Sequence, residues 1–160
     1  MGMHDRFSWF RAAALLAVIG LAGTASGQTL VATQDLSFGA FVAGAGGTIA
    51  ISPEGVRTAG GDVTLMTVGQ FSQGSAASLD LTGSPNATYE ITLPANNSVT
   101  LTGSQGGSMS VTSFSSSPSA EGQLSGGGSA TLNVGATLAI GNNQAPGSYS
   151  GSFAVTAVFQ

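Results

Sequence analysis

Side chains able to do acid–base, nucleophilic or metal chemistry are scarce in this 160-residue chain, and they are unevenly placed. His4 is the one histidine, Trp9 is the one tryptophan, and cysteine and lysine are absent. Beyond Gly27 the charged residues are one base and six acids: Arg57, Asp35, Glu54, Asp62, Asp80, Glu90 and Glu121. Residues 28–160 therefore carry no imidazole, thiol, amine or indole group.

This inventory excludes most enzyme mechanisms. Serine and cysteine hydrolases need an imidazole to move the proton, and Schiff-base chemistry needs a lysine. Zinc, copper and iron sites depend on His or Cys ligands. A pair of carboxylates could serve a glycosidase, but the six acids are dispersed and no tryptophan accompanies them. The sequence predicts a non-enzymatic protein with no catalytic residue, no metal ligand and no cofactor.

Composition narrows the class of partner and the number of domains. Only 6% of residues are charged and 42% are hydrophobic, which is unlike a disordered polyelectrolyte. Nucleic acid is not expected as a partner, because binding its phosphates requires clustered Lys and Arg. At this length the chain is expected to form one domain.

The N-terminus has the features of an export signal. Arg6 and Arg11 supply positive charge, and the apolar run Ala12–Ala22 follows. The small residues at 25–27 place the cleavage before Gln28, so residues 1–27 are predicted to be a removed signal peptide. The run is shorter than the roughly 20 apolar residues that span a bilayer. The protein is accordingly expected in the periplasm, on the cell surface or outside the cell, as a single domain over residues 28–160 with no integral membrane segment.

Residues 28–160 alternate between apolar and polar side chains with a period near two, and Gly, Pro, Asn and Ser interrupt the runs. Ser115–Gly128 is expected to be a long loop or weak hairpin. The predicted strands are Leu30–Phe41, Thr48–Ser52, Val63–Phe71, Ala76–Leu81, Thr88–Leu93, Ser98–Leu101, Met109–Phe114, Ala130–Ile140 and Ser148–Phe159. This pattern predicts an all-β, immunoglobulin-like sandwich of about seven to nine short strands, either complete or completed by a donated strand.

The last predicted strand carries the sharpest alternation. One face is expected to hold Tyr149, Gly151, Phe153, Val155, Ala157 and Phe159, with serine and threonine opposite. An edge strand of this length is also a template on which another chain can add a strand. Together with Gly147, these residues are the candidate site for pairing with a partner strand.

Several blocks of the sequence resemble the bacterial DUF4402 domain family. They occur in the family's order and cover nearly all of residues 28–160. The blocks are Asp35–Gly39, Pro53–Gly55, the Gly60-Gly61 turn, Leu81–Pro94, Val134–Leu138 and Pro146–Phe153. The family name implies no particular activity.

The same blocks are loosely similar to subunits of chaperone–usher fimbriae, including the spore coat U group. That resemblance implies an incomplete sandwich whose C-terminal strand pairs first with a periplasmic chaperone and later with a neighbour's N-terminal extension. It also implies a glycine fourteenth from the end and a penultimate aromatic, which Gly147 and Phe159 match. Candidate donor residues are Leu30, Ala32, Leu36 and Phe38, although the extension before Asp35 is short for a donor.

Three functions remain open at this point. The first is a pilin-like structural protein of the cell surface, assembled by strand complementation with other subunits. The second is a self-complete periplasmic or secreted sandwich that binds an unidentified ligand. The third is a small outer-membrane β-barrel, which the aromatic and glycine content fits poorly.

Overall fold

A computed structural model describes residues 10–22, as backbone alone, and residues 27–160. The regular structure in these ranges is β-strand throughout. The strands are β1 (Phe10–Ala22), β2 (Thr29–Gln34), β3 (Gly39–Val42), β4 (Gly47–Ile51), β5 (Arg57–Gly61), β6 (Thr64–Leu65), β7 (Ala77–Thr82), β8 (Thr88–Thr92), β9 (Val99–Gly103), β10 (Ser108–Ser117), β11 (Glu121–Gln123), β12 (Ser129–Ile140) and β13 (Gly147–Phe159).

The strands form a continuous hydrogen-bonded path in the order β2-β7-β12-β10-β9-β13-β1-β3-β6. Neighbours along the path are antiparallel except β1 and β13, which run parallel. β4 and β5 form a hairpin on the second half of β12, and β8 with β11 flanks the end of β13. The long strands β12 and β13 therefore organise the domain, because most other strands pair with one of them.

This path folds over itself around one apolar core. β7 and β13 are four steps apart along the path, yet a Cβ placed on Gly83, just after β7, would lie 3.5 Å from the Phe159 ring. The rings of Phe114 in β10 and Phe153 in β13 lie 5.2 Å apart. Leu79, Leu132 and Val155 belong to the same buried cluster. The predicted all-β sandwich is thus confirmed, with more strands than the nine expected.

Two predicted strands are interrupted in the structure. Leu30–Phe41 divides into β2 and β3, which are separated by residues 35–38, and Gly39 at the start of β3 has a φ of 72°, in the left-handed region. Of Val63–Phe71, only Thr64–Leu65 is a strand. The rest is irregular backbone held in place by single hydrogen bonds, such as that from Met66 N to Ala40 O (2.9 Å).

Two strands arise where turns or a loop were expected. Gly60-Gly61 belongs to β5, which pairs residue by residue with β4. Within the expected loop Ser115–Gly128, the first three residues continue β10 along β12, and Glu121–Gln123 forms β11 beside β8. Pairing with a neighbouring strand overrides the low strand propensity of Gly and Ser at these positions.

Arg57 ties β5 to the segment that precedes and begins β3. Its guanidinium donates to the carbonyl oxygens of Phe38 (3.1 Å), Ala40 (3.3 Å) and Met66 (3.0 Å). Desolvation by burial lowers the pKa of this guanidinium from its usual value. Arg57 is therefore a backbone clamp that fixes where β3 lies.

Candidate functional site: the outer edge of the C-terminal strand

β13 presents one face to the core along its whole length. Tyr149, Phe153, Val155 and Ala157 are buried, while the serines between them are exposed. The predicted alternation is therefore observed, and these side chains pack within their own domain. A partner strand would meet the backbone edge of β13, because strand pairing is made by main-chain N–H and C=O groups.

The two edges of β13 have different neighbours. On the inner edge, Tyr149 and Ser150 pair with β9, and the strand's last four residues, Thr156–Phe159, pair with β8. On the outer edge, the part of the chain that the structure describes supplies one partner strand, β1. Its register runs in parallel from Phe10 opposite Gly147 to Ala22 opposite Val158.

At one end of this outer edge, β1 lies between two strands, β13 and β3, and we call the space between them the slot, with these two strands as its walls. Phe10–Ala12 pairs with β13 on one side and antiparallel with Gly39–Phe41 of β3 on the other. The second wall was not predicted from the sequence. Asp35–Gly39 is one of the blocks that resemble the DUF4402 family, but nothing in its composition places it near β13. Farther along, residues 15–22 pair with β13 on one side and have no second partner among the described strands.

The slot end of β13 is held rigidly. Gly147 has a φ of 137°, and a Cβ there would lie 2.8 Å from the Ser104 hydroxyl oxygen. The ring of Tyr149 covers Gly103 of β9, whose missing side chain leaves room for it. The Tyr149 hydroxyl donates to the carbonyl of Ala145 and accepts a hydrogen bond from Gln144 Nε2 (2.8 Å). Gly147, the fourteenth residue from the end, and Phe159, the penultimate aromatic, are the first and last residues of β13.

At the other end of β13, the ring of Tyr89 packs over a glycine, as the ring of Tyr149 does at the slot end. Its ring lies over Gly122 of β11, the residue directly opposite it, and its centroid is 6.3 Å from that of Phe159. The ring is buried. Desolvation by burial raises the pKa of Tyr89 above its usual value of 10.0.

This shift predicts a loss of stability in alkali. Below about pH 9 the phenol is essentially neutral in both the folded and unfolded states, so Tyr89 adds no pH dependence there. Above that pH the unfolded state ionises first, and the free energy of unfolding falls. Chemical denaturation between pH 8 and 11 should show this decline, and Tyr89→Phe should flatten it. An equal slope in Tyr89→Phe and the parent chain would contradict this assignment.

The candidate donor residues lie inside their own domain. Leu30 and Ala32 sit in β2, opposite Leu81 and Leu79 of β7. Leu36 and Phe38 are completely buried in the core. Donation of these residues to another molecule stays a prediction, and it would require β2 and the following segment to leave the positions they occupy here.

Two of the surface cavities are lined in part by acidic residues. One of about 560 Å³ is lined by Tyr89, Glu90, Glu121 and their neighbours, and one of about 330 Å³ includes Glu54. Glu90 and Glu121 lie directly opposite each other on β8 and β11. Among the described residues, no three His, Cys, Asp or Glu side chains are grouped closely enough to hold a metal ion. The absence of enzymatic activity and of a cofactor remains a prediction.

Helices long and apolar enough to span a membrane are not found in the described part of the chain. The predicted cleavage follows Gly27, which is described, whereas Ala25 and Ser26 lie outside the described residues. Removal of residues 1–27 and export of the chain stay predictions.

Comparison with known proteins agrees with the resemblance seen in the sequence blocks. A family model described as "Domain of unknown function (DUF4402)" matches residues 29–159. The chain belongs to the DUF4402 family. No curated protein and no solved structure matches it. The matched range of this DUF4402 protein begins at β2 and ends with the last residue of β13, so β1 lies outside the family domain.

Proposed function

We propose that this DUF4402 protein is a non-enzymatic structural protein of the cell exterior, a fimbria-like subunit whose C-terminal strand is completed by a strand from another protein. One observation carries the proposal. Apart from β1, no described strand pairs with the outer edge of β13, and β1 lies within residues predicted to be removed. Removal would leave a thirteen-residue strand with unpaired main-chain groups along one side.

The donor is proposed to come from a different protein chain, either a periplasmic chaperone or another subunit. The reason is that residues 29–38 contribute to their own sheet and core, and no free extension remains between Gln28 and β2. The expected donor is an extended segment with few charges, because the strand that covers this edge within the chain is apolar from Ala12 onward.

A charge placed on the β13 edge tests this function. Ser152 is exposed on β13 and lies opposite Leu16 of β1. Lysine on an edge strand opposes pairing with another strand. In residues 28–160, Ser152→Lys should weaken assembly or donor binding at least tenfold, which corresponds to about 1.4 kcal/mol. Sedimentation velocity across a concentration series measures the change.

Thr58→Lys is the matched control. Thr58 is also exposed on an edge strand, β5, whose described partner is β4 alone. This variant should assemble like the parent chain. Equal weakening by both lysines, or by neither, would contradict a role for the β13 edge.

A second candidate is a self-complete exported sandwich that binds an unidentified ligand. The position of β2 favours it, since the first segment after Gln28 already pairs with β7. This alternative predicts that residues 28–160 unfold cooperatively as a monomer and do not respond to added strands.

A further inference from the structure

We propose that Phe10–Ala22 is a place-holder strand, which fills the outer edge of β13 within the same chain until residues 1–27 are cut away. Cleavage, rather than folding, would then open the edge. This inference rests on the proposed function, because it assumes that the β13 edge is where assembly occurs. It goes further by giving the leader segment a second role after targeting.

The first argument is the extent of the pairing. β1 follows β13 from Gly147 to Val158, which is nearly the whole strand. At the slot end, Phe10–Ala12 is also hydrogen-bonded to β3. β1 is therefore held most firmly at the slot, where it has partners on both sides. Its other end has a partner on one side only and can separate from β13 first.

The second argument is the geometry of the connection. Residues 23–28 join β1 to β2. Ala22 pairs with Val158, while a Cβ on Gly83 would lie 3.4 Å from Gln28 Cγ and 3.5 Å from Phe159 Cε1. Both ends of the connection therefore lie at the same end of the domain. Six residues span that gap easily, so β1 can occupy the edge while covalently attached.

The third argument is the position of the predicted cleavage. The Gly27–Gln28 bond lies between two strands and belongs to neither. Gly27 is exposed and has a φ of 101°, and no atom of the described residues lies within 4 Å of where its Cβ would stand. A protease can therefore reach this bond while β1 remains in place.

Cutting the connection between β1 and β2 lowers the effective concentration of β1 at the β13 edge, although the contacts between the two strands stay the same. An attached strand has an effective concentration on the order of millimolar, whereas a free one must compete at its bulk concentration. The place-holder would consequently dissociate, or exchange for a partner's strand, after cleavage. Before cleavage it would hold the precursor as a monomer.

The test uses the full chain, made without export, with residues 23–26 replaced by the recognition sequence of a site-specific protease. The uncut chain should be monomeric by sedimentation, with slow exchange at the alternate amides of residues 150–158 that face β1. After the cut, those amides should exchange at least a hundredfold faster, and assembly should begin. Assembly or aggregation of the uncut chain to the same extent as the cut chain would overturn the place-holder role, while leaving edge-mediated assembly intact. If neither form assembles, the proposed function fails and this inference fails with it.

Two neighbouring proline variants provide an independent check. Ala17 and Val18 are adjacent on β1, opposite Phe153 and Ala154. Alternate N–H groups of an edge strand point toward its partner, so proline removes a ladder hydrogen bond at one of these positions and none at the other. The two variants Ala17→Pro and Val18→Pro should therefore differ. The variant that loses the hydrogen bond to β13 should assemble more readily in its uncut form than the other variant does. Behaviour identical to the parent in both variants would contradict docking of β1.

Discussion

Replacing Tyr149 by alanine is expected to lower the free energy of unfolding by about 3–5 kcal/mol, the range for truncating a buried aromatic residue. Tyr149 is fully buried, its ring covers Gly103, and its hydroxyl is bonded to Ala145 and Gln144. Removing the ring leaves a cavity beneath the start of β13 and frees the turn before it. Urea denaturation of residues 28–160, or of the full chain, measures the loss.

Two variants separate the causes of this effect. Tyr149→Phe keeps the ring and should cost about 1–2 kcal/mol, because it removes the part-buried hydrogen bonds of the hydroxyl to the Ala145 carbonyl and from Gln144 Nε2. Val68→Ala is the control for apolar truncation at the surface, since Val68 is 70% exposed, and it should change stability by less than about 0.5 kcal/mol. A Tyr149→Ala cost as small as that of Val68→Ala would refute the packing described for β13.

Gly39→Ala is expected to destabilise the domain by more than about 3 kcal/mol. The residue has a φ of 72°, and its Cβ would collide with the Arg57 guanidinium, the Ser72 carbonyl (2.6 Å) and the Gly74 nitrogen (2.7 Å). Relieving these collisions requires either the backbone of β3 or the Arg57 clamp to move. Because Gly39 forms one wall of the slot, assembly should weaken together with stability.

Gly55→Ala distinguishes crowding from backbone strain. Gly55 has a similar φ of 83°, but in the described part of the chain no atom lies within 4 Å of its Cβ position. Its cost should be about 1 kcal/mol, from the left-handed conformation alone. Thermal melts of the two variants side by side suffice. Equal losses of stability in Gly39→Ala and Gly55→Ala would mean that the close approach of Arg57 to β3 does not restrict the side chain at position 39.

The regular alternation of the long strands was readable from the sequence. Leu132, Val134, Ala136 and Leu138 on β12 recur every second residue, and all are buried. Successive side chains of a strand point to opposite faces, so the alternation of apolar residues was enough to place these four in the core. The same reasoning located β13 to within one residue of its start.

Strands defined by their neighbours were not readable. β5 contains Thr58, Ala59 and a glycine pair, and it exists because each residue faces a partner in β4. Val63–Phe71 has an apolar pattern, yet its backbone follows a turn at Gly69, which has a positive φ of 77°. Pairing and backbone conformation of this kind depend on tertiary contacts that a single sequence does not display.

The candidate site was half predictable. The identity of β13 and its core-facing residues followed from alternation, and the glycine and aromatic at its ends from the resemblance. The second wall of the slot, Gly39–Phe41, is more than a hundred residues away in sequence. Its position depends on the Arg57 clamp, whose three carbonyl acceptors carry no sequence signal.

The most direct test of the central claim is amide hydrogen exchange across β13 in residues 28–160 alone, at a concentration where the chain is monomeric. β12 supplies an internal reference between Asn133 and Leu138, where it pairs with β10 on one edge and with β7 and then β4 on the other. An open outer edge predicts that alternate amides between Ser150 and Val158 exchange far faster than those of β12. Protection of all β13 amides as strong as that of β12 would contradict an edge left free for another chain.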